Sequence, residues 1–378
     1  MLKKNKTNRK MNKLSAIIGV FLLALTFGSC SDWTETEAEN IDELLVDADS
    51  SLRLSHKMYL ENLRAYKQTD HQMTFGWFGG WTAESPAPRY LYNLPDSTDF
   101  VSLWGFAGNM TENQKADLKK AQEEKGIKAL LCFLMFQIGD KITPPVPTSF
   151  KGGFNDWQHE YWGWGSGNDE DSVNAAIVKY ANAICDTIYK YNLDGFDLDA
   201  EPSYQQPFET NYEMWRPASR AALLIQTIGK RVGPMAETEE GRKKLLVVDG
   251  EPDAFPAEMG KYFNYFIIQA YNSSSYSRLD TRFNNLYSHF GSVMTREEVA
   301  KKLIVTENFE AYSANGGVAF TARDGSKLSS SYLGMAGWNP VGARKGGIGS
   351  YHMEKDYAQD PHYKYLRAGI QIMNPAFK

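Results

Sequence analysis

Three carboxylates recur at two-residue spacing, Asp197, Asp199 and Glu201, in the run "LDGFDLDAE" over 193–201. Their neighbours are apolar, so the run reads as a buried strand. Side chains on a strand alternate between faces. The three acids therefore share one face, and Phe196, Leu198 and Ala200 share the other. Asp194 has the opposite parity and reads as structural. Carboxylates this close cannot all ionise cheaply, so at least one should hold a proton at neutral pH. A general acid needs that condition. A satisfied cluster of buried acids, or a cation site, would show the same pattern. A cation site would want further oxygen or imidazole ligands, and none of the 6 His stands at a suitable spacing. No metal or cofactor is expected.

A buried acidic strand needs neighbours to bury it. Eight apolar runs occur, over 73–81, 100–106, 128–136, 193–201, 244–252, 265–272, 302–310 and 346–354. Helical patterns lie between several of them. The clearest is "SVNAAIVKYANAICDTIYKYN", with Ser172 as the expected N-cap. Short apolar runs alternating with helices imply a parallel sheet, and eight of them imply an α/β fold, the TIM (β/α)8 barrel. In a barrel the acidic face points inward, with Asp197 deepest and Glu201 at the mouth.

The C-terminal ends of barrel strands carry the active site. Several runs turn polar there, at Glu201, Glu251, Gln269 with Tyr271, Glu307, and His352 with Glu354. The third connection, 137–171, is long, and such loops are commonly functional. It holds Trp157, Tyr161, Trp162 and Trp164. Exposed rings there would stack on sugars; buried ones would pack the loop on itself. Trp77 in the first run and Tyr351 in the last join the candidate substrate contacts, as does Asn272.

Composition narrows the partner. The formal charge of −5 argues against nucleic acid, which needs a basic face. With 9 Trp and 21 Tyr the chain suits carbohydrate, although a large aromatic core explains the same counts. Cys132 and Cys185 read as buried thiols. Cys30 differs. A basic start and the apolar "LSAIIGVFLLALTFGSC" form a secretory signal, and Gly28-Ser29-Cys30 is similar to a bacterial lipoprotein box, with Phe27 where Leu is usual. The expected organisation is a signal peptide over 1–29, a tether and leading helix over 30–68, and one barrel over 69–378. Lipidation at Cys30 would anchor an outer membrane lipoprotein at the cell surface. No later segment is apolar enough to span a bilayer, and a monomer is the default.

Asp194-x-x-Asp197-x-Asp199-x-Glu201 resembles the DxxDxDxE signature of glycoside hydrolase family 18, on the fourth strand where that family carries it. Gln269-Ala270-Tyr271-Asn272 is similar to the Gln-x-Tyr of the family's endo-β-N-acetylglucosaminidases, and departs from the Met-x-Tyr-Asp of its chitinases. Two departures stand out. Strand eight reads Ser350-Tyr351-His352-Met353 where chitinases have a floor Trp, and Pro202 follows the acid where an aromatic is common. The resemblance implies a retaining, substrate-assisted reaction. Glu201 would be the acid and base, Asp199 would hold the sugar's acetamide, and Asp197 would share a proton beneath it. Tyr271 and Gln269 would orient the acetamide. The implied substrate is the GlcNAc-β1,4-GlcNAc core of N-glycans, with a lean to complex glycans. A chitinase-like hydrolase or a non-catalytic glycan binder on the same barrel is the alternative.

Overall fold

The computed structural model describes residues 41–106, 108–134, 139, 142–163, 169–202 and 218–375, with side chains from 54 onward. The chain divides into two compact units, Met1–Tyr59 and Leu60–Lys378. The described part of the first is the start of one helix, Ile41–Tyr66. Among the described residues no helix is long and apolar enough to cross a membrane.

The second unit is a closed parallel barrel. Its strands are β1 (Met73–Gly79), β2 (Phe100–Trp104), β3 (Lys128–Leu134), β4 (Gly195–Ala200), β5 (Leu245–Gly250), β6 (Tyr265–Ile268), β7 (Leu303–Asn308) and β8 (Gly347–Tyr351). Each pairs with its neighbours in chain order, and β8 closes on β1. All eight apolar runs are strands, trimmed at their polar ends. The chain turns there through left-handed residues: Gly250 at φ +86°, Asn272 at +57° and His352 at +53°. This unit begins earlier than residue 69, because Leu60 and Leu63 in the last turns of the leading helix are already buried.

Alternation along the strands builds two cores. Phe75, Trp77, Phe100, Leu130, Cys132, Val247, Ile267 and Ile304 fill the barrel's interior. Their neighbours in sequence, such as Phe78, Val101, Leu131, Val248 and Val305, face outward into a larger core with the helices. Each such side chain contributes about 1.5–3 kcal/mol through burial. The helix Glu170–Lys190 shows why it belongs there, since it buries Val173, Ile177, Tyr180, Ile184 and Ile188 on one stripe. Its N-cap is Asp169 rather than Ser172; the Asp169 carboxylate accepts from Ser172 N at 2.8 Å. Asp suits that position because it adds negative charge where the helix dipole is positive.

Candidate active site

Register brings the acids together. On β4, Asp197 pairs with Cys132 of β3 and Val247 of β5, and Asp199 pairs with Leu134 and Asp249. Asp197, Asp199 and Asp249 are 0%, 3% and 0% exposed, so all three stand inside the barrel. Ser102 Oγ on β2 donates to Asp197 Oδ2 at 2.5 Å. Cys132 and Trp77 also hydrogen-bond the Asp197 carboxyl. Burial nevertheless pushes Asp197 up to about 6. Asp249 is pushed up further, first by burial and then by the charges of Asp199 and Asp197.

Glu201 follows the end of β4 and is half-buried at the mouth. Burial raises its carboxyl, a hydrogen bond from Gln269 opposes the rise, and the nearby Glu251 charge adds to it. The approach of β5 here requires glycine. A Cβ on Gly250 would meet Ala200 O at 2.5 Å and Glu201 Cγ at 3.0 Å. Across the mouth, Gln269 Nε2 donates to Asp249 Oδ1 at 3.0 Å. One amide thus links Asp249 with Glu201. Burial and the charges of Asp249, Asp199 and Glu201 hold the Tyr271 phenol far above its ordinary range, so it stays a donor.

Tyr351 faces these groups. Its ring lies 6.2 Å from Tyr271, 6.2 Å from Trp77 and 5.6 Å from Trp104, between centroids. Met353 does not share this wall. It is fully buried, and a Cβ on Gly76 would meet its sulfur at 2.5 Å. His352 Nδ1 meets Glu354 Oε1 at 2.6 Å, and Gly79 N donates to Glu354 Oε2 at 2.9 Å, tying β8 to β1.

Other candidate contacts sit elsewhere than the sequence suggests. Glu307 is fully buried and points out of the barrel, with the parity of Leu303 and Val305. Its carboxylate accepts from Asn272 N at 3.0 Å, from Asn308 N at 2.8 Å and from Ser331 Oγ. It fixes a turn from outside the barrel. Trp77 is 2% exposed and serves Asp197 from inside the barrel. Trp162 is buried against Tyr180, with Nε1 donating to Thr143 Oγ1 at 2.9 Å. Half-buried Trp157 donates to Pro144 O at 2.8 Å and packs on Phe150 and Tyr161. Those two rings therefore close the loop on itself. Asn272 is exposed and Glu251 half-buried at the mouth. Trp164 and Cys30 lie outside the described residues. Sequence reasoning missed Asp249, although Val247-Asp249-Glu251 repeats the alternation of β4.

Asp199, Glu201 and Asp249 each bring one oxygen within 4.8 Å of the others. That spacing could accept a cation, but an acid cluster alone does not define one, and hydrogen bonds already span this cluster. Chemically, the arrangement offers a proton at the mouth, at Glu201, above buried negative charge, with two neutral donors opposite. It suits acid-assisted cleavage with a positive charge developing between them.

The barrel and its ladder of acids place the chain among the glycoside hydrolases. Residues 34–372 match glycoside hydrolase family 18, BT1044-like. The chain belongs to that family. It is 25% identical over 344 residues to endo-β-N-acetylglucosaminidase F2 of Elizabethkingia meningoseptica, covering 84% of this chain and 86% of that one. A solved structure of a BT1044 variant is 37% identical, with a TM-score of 0.70, covering 85% of this chain and 93% of the other. An endo-β-N-acetylglucosaminidase from Cordyceps militaris, solved with fucosyl-N-acetylglucosamine-Asn, shares the fold at 23% identity and a TM-score of 0.56, covering 84% and 95%.

Proposed function

We propose that this enzyme is an endo-β-N-acetylglucosaminidase that cuts the GlcNAc-β1,4-GlcNAc core of N-glycans. The observation that carries the reading is the linkage of Glu201 to the Gln269 side chain, with Tyr271 beside it as a protonated phenol. The endo-β-N-acetylglucosaminidase similar to this chain over most of its length supports it.

In this reading Glu201 gives its proton to the glycosidic oxygen as that bond breaks. The carbonyl oxygen of the 2-acetamido group attacks the anomeric carbon and closes an oxazolinium ring. Asp199 holds the acetamide N–H and stabilises the positive charge. Tyr271 O–H donates to the acetamide oxygen. Glu201, now a carboxylate, takes a proton from water as the hydroxide adds to the anomeric carbon. The acetamide is restored and configuration is retained. Tyr351 supplies the ring wall that a strand-eight tryptophan would otherwise supply. Complex N-glycans are the favoured class. The protein acts as a monomer, lipidated at Cys30 and carried on the outer membrane facing outward, where glycoproteins are within reach.

The test is incubation of soluble protein begun after Cys30 with glycoproteins bearing defined high-mannose or complex N-glycans. Mass spectrometry follows both products, with Glu201→Gln as control. A single GlcNAc left on the glycoprotein, absent with the control, is expected. Full activity in Glu201→Gln would refute the assignment, and binding without cleavage would make the barrel a glycan receptor.

A further inference from the structure

Asp249 has no part in the reaction as written, yet it sits at the centre of the polar network. It lies beside Asp199 in the β4–β5 register and is fully buried. One of its oxygens, Oδ1, accepts from Gln269 Nε2 at 3.0 Å. The same Gln269 side chain hydrogen-bonds Glu201. The other oxygen, Oδ2, is buried without a donor among the described residues, and so is Asp197 Oδ1. The two carboxyl groups are hydrogen-bonding neighbours. A buried acceptor left unpaired is costly, and one proton between these two carboxyls would satisfy both. The titratable groups around Asp249 are Asp197 and Asp199 from β4, Glu201 just after it, Cys132 from β3 and Tyr271 beyond β6. The three carboxyl groups disfavour a further negative charge on Asp249, while the Tyr271 phenol stays protonated.

We propose that Asp249 is a positioning residue: a neutral carboxylic acid that shares one proton with Asp197 and holds the Gln269 amide against Glu201. Two consequences follow for the reaction. The pair carries one negative charge instead of two, so Asp199 can keep its own where the positive charge of the sugar develops. Glu201 keeps one orientation through Gln269 while it first gives and then takes a proton. The role in catalysis rests on the hydrolytic reading above; the protonation state does not.

Asp249→Asn reproduces the neutral acid, with an N–H to give Asp197 and an oxygen to take from Gln269. Asp249→Ala reproduces neither. With wild type cleaving a complex-glycan glycoprotein alongside, the Asn variant should keep kcat within about tenfold, with the limb of the pH profile that reports Glu201 in place. The Ala variant should lose about a hundredfold in kcat with little change in KM, as misplacement of a catalytic group predicts. Equal losses in both variants, or no loss in the Ala variant, would overturn the proposal. A second measurement needs no substrate. Difference infrared spectra at neutral pH should show that Asp249→Asn removes absorption of a protonated carboxyl group. An unchanged carboxyl band overturns the proposal, even if wild type proves to cleave a different substrate. Lack of wild-type cleavage with the band removed counts against the N-glycan reading alone.

Discussion

Asp197 has hydrogen-bonding neighbours in Ser102, Asp249, Cys132 and Trp77, and still keeps its proton up to about pH 6 because burial outweighs them. An unfolded Asp releases its proton near pH 4. Between those values the folded chain binds a proton that the unfolded chain has lost. Stability from this group is therefore full at and below about pH 4, and is lost as pH rises through 6. Asp197→Asn cannot ionise and escapes that loss. Relative to wild type, its melting temperature should be higher at neutral pH than the same comparison gives near pH 4, while hydrolysis falls by about a hundredfold. Thermal unfolding at the two pH values is the check, and a difference that does not change with pH would sink the argument. The acid ladder is in this sense a site that destabilises its own barrel at working pH.

At the scale of elements, β7 aims a residue it never touches in sequence. Glu307 accepts from Asn272 N, the amide directly after Tyr271, and from Asn308 N and Ser331 Oγ. Asn272 is left-handed, and that carboxylate anchors it beside the Ser273 N to Ala270 O bond of 3.1 Å that closes the turn. Glu307→Ala would strand buried donors, at a cost of about 2–4 kcal/mol, and kcat should fall with it as the Tyr271 turn loosens. Urea unfolding and steady-state rates on one preparation test both, and an unchanged unfolding midpoint would show that the turn stands alone. The same element shows what a sequence makes legible. Eight strands and the acids of β4 could be read because alternation and polar strand ends are local signals. The outward parity of Glu307 was equally local, fixed by Leu303 and Val305, but a polar strand end drew the inference instead. Asp249 repeated the β4 alternation, yet only the register that sets it against Asp199 shows why it matters. The packing of Trp157 and Trp162 depends on Pro144, Thr143 and Tyr180, which no spacing reveals.

For the whole molecule, the division at Tyr59 decides what an anchor can do. Among the described residues burial begins with Leu60, and the unit from there to the C-terminus contains every described residue of the site. Chemistry and attachment should then separate cleanly. Cells of a Gram-negative host expressing the full chain should yield a protein that enters the detergent phase and takes up a fatty-acid label. Cys30→Ala should do neither. One acyl chain binds a membrane only marginally, and a lipoprotein's stable attachment comes from carrying several. The soluble barrel begun after Cys30 should match the detergent-extracted full chain in kcat/KM and in melting temperature. Detergent partition by Cys30→Ala would remove the lipid anchor from the account. A truncated protein with a lower melting temperature would mean that the lipidated Cys30 contributes to the barrel's stability, and the separation of anchor from chemistry would fail.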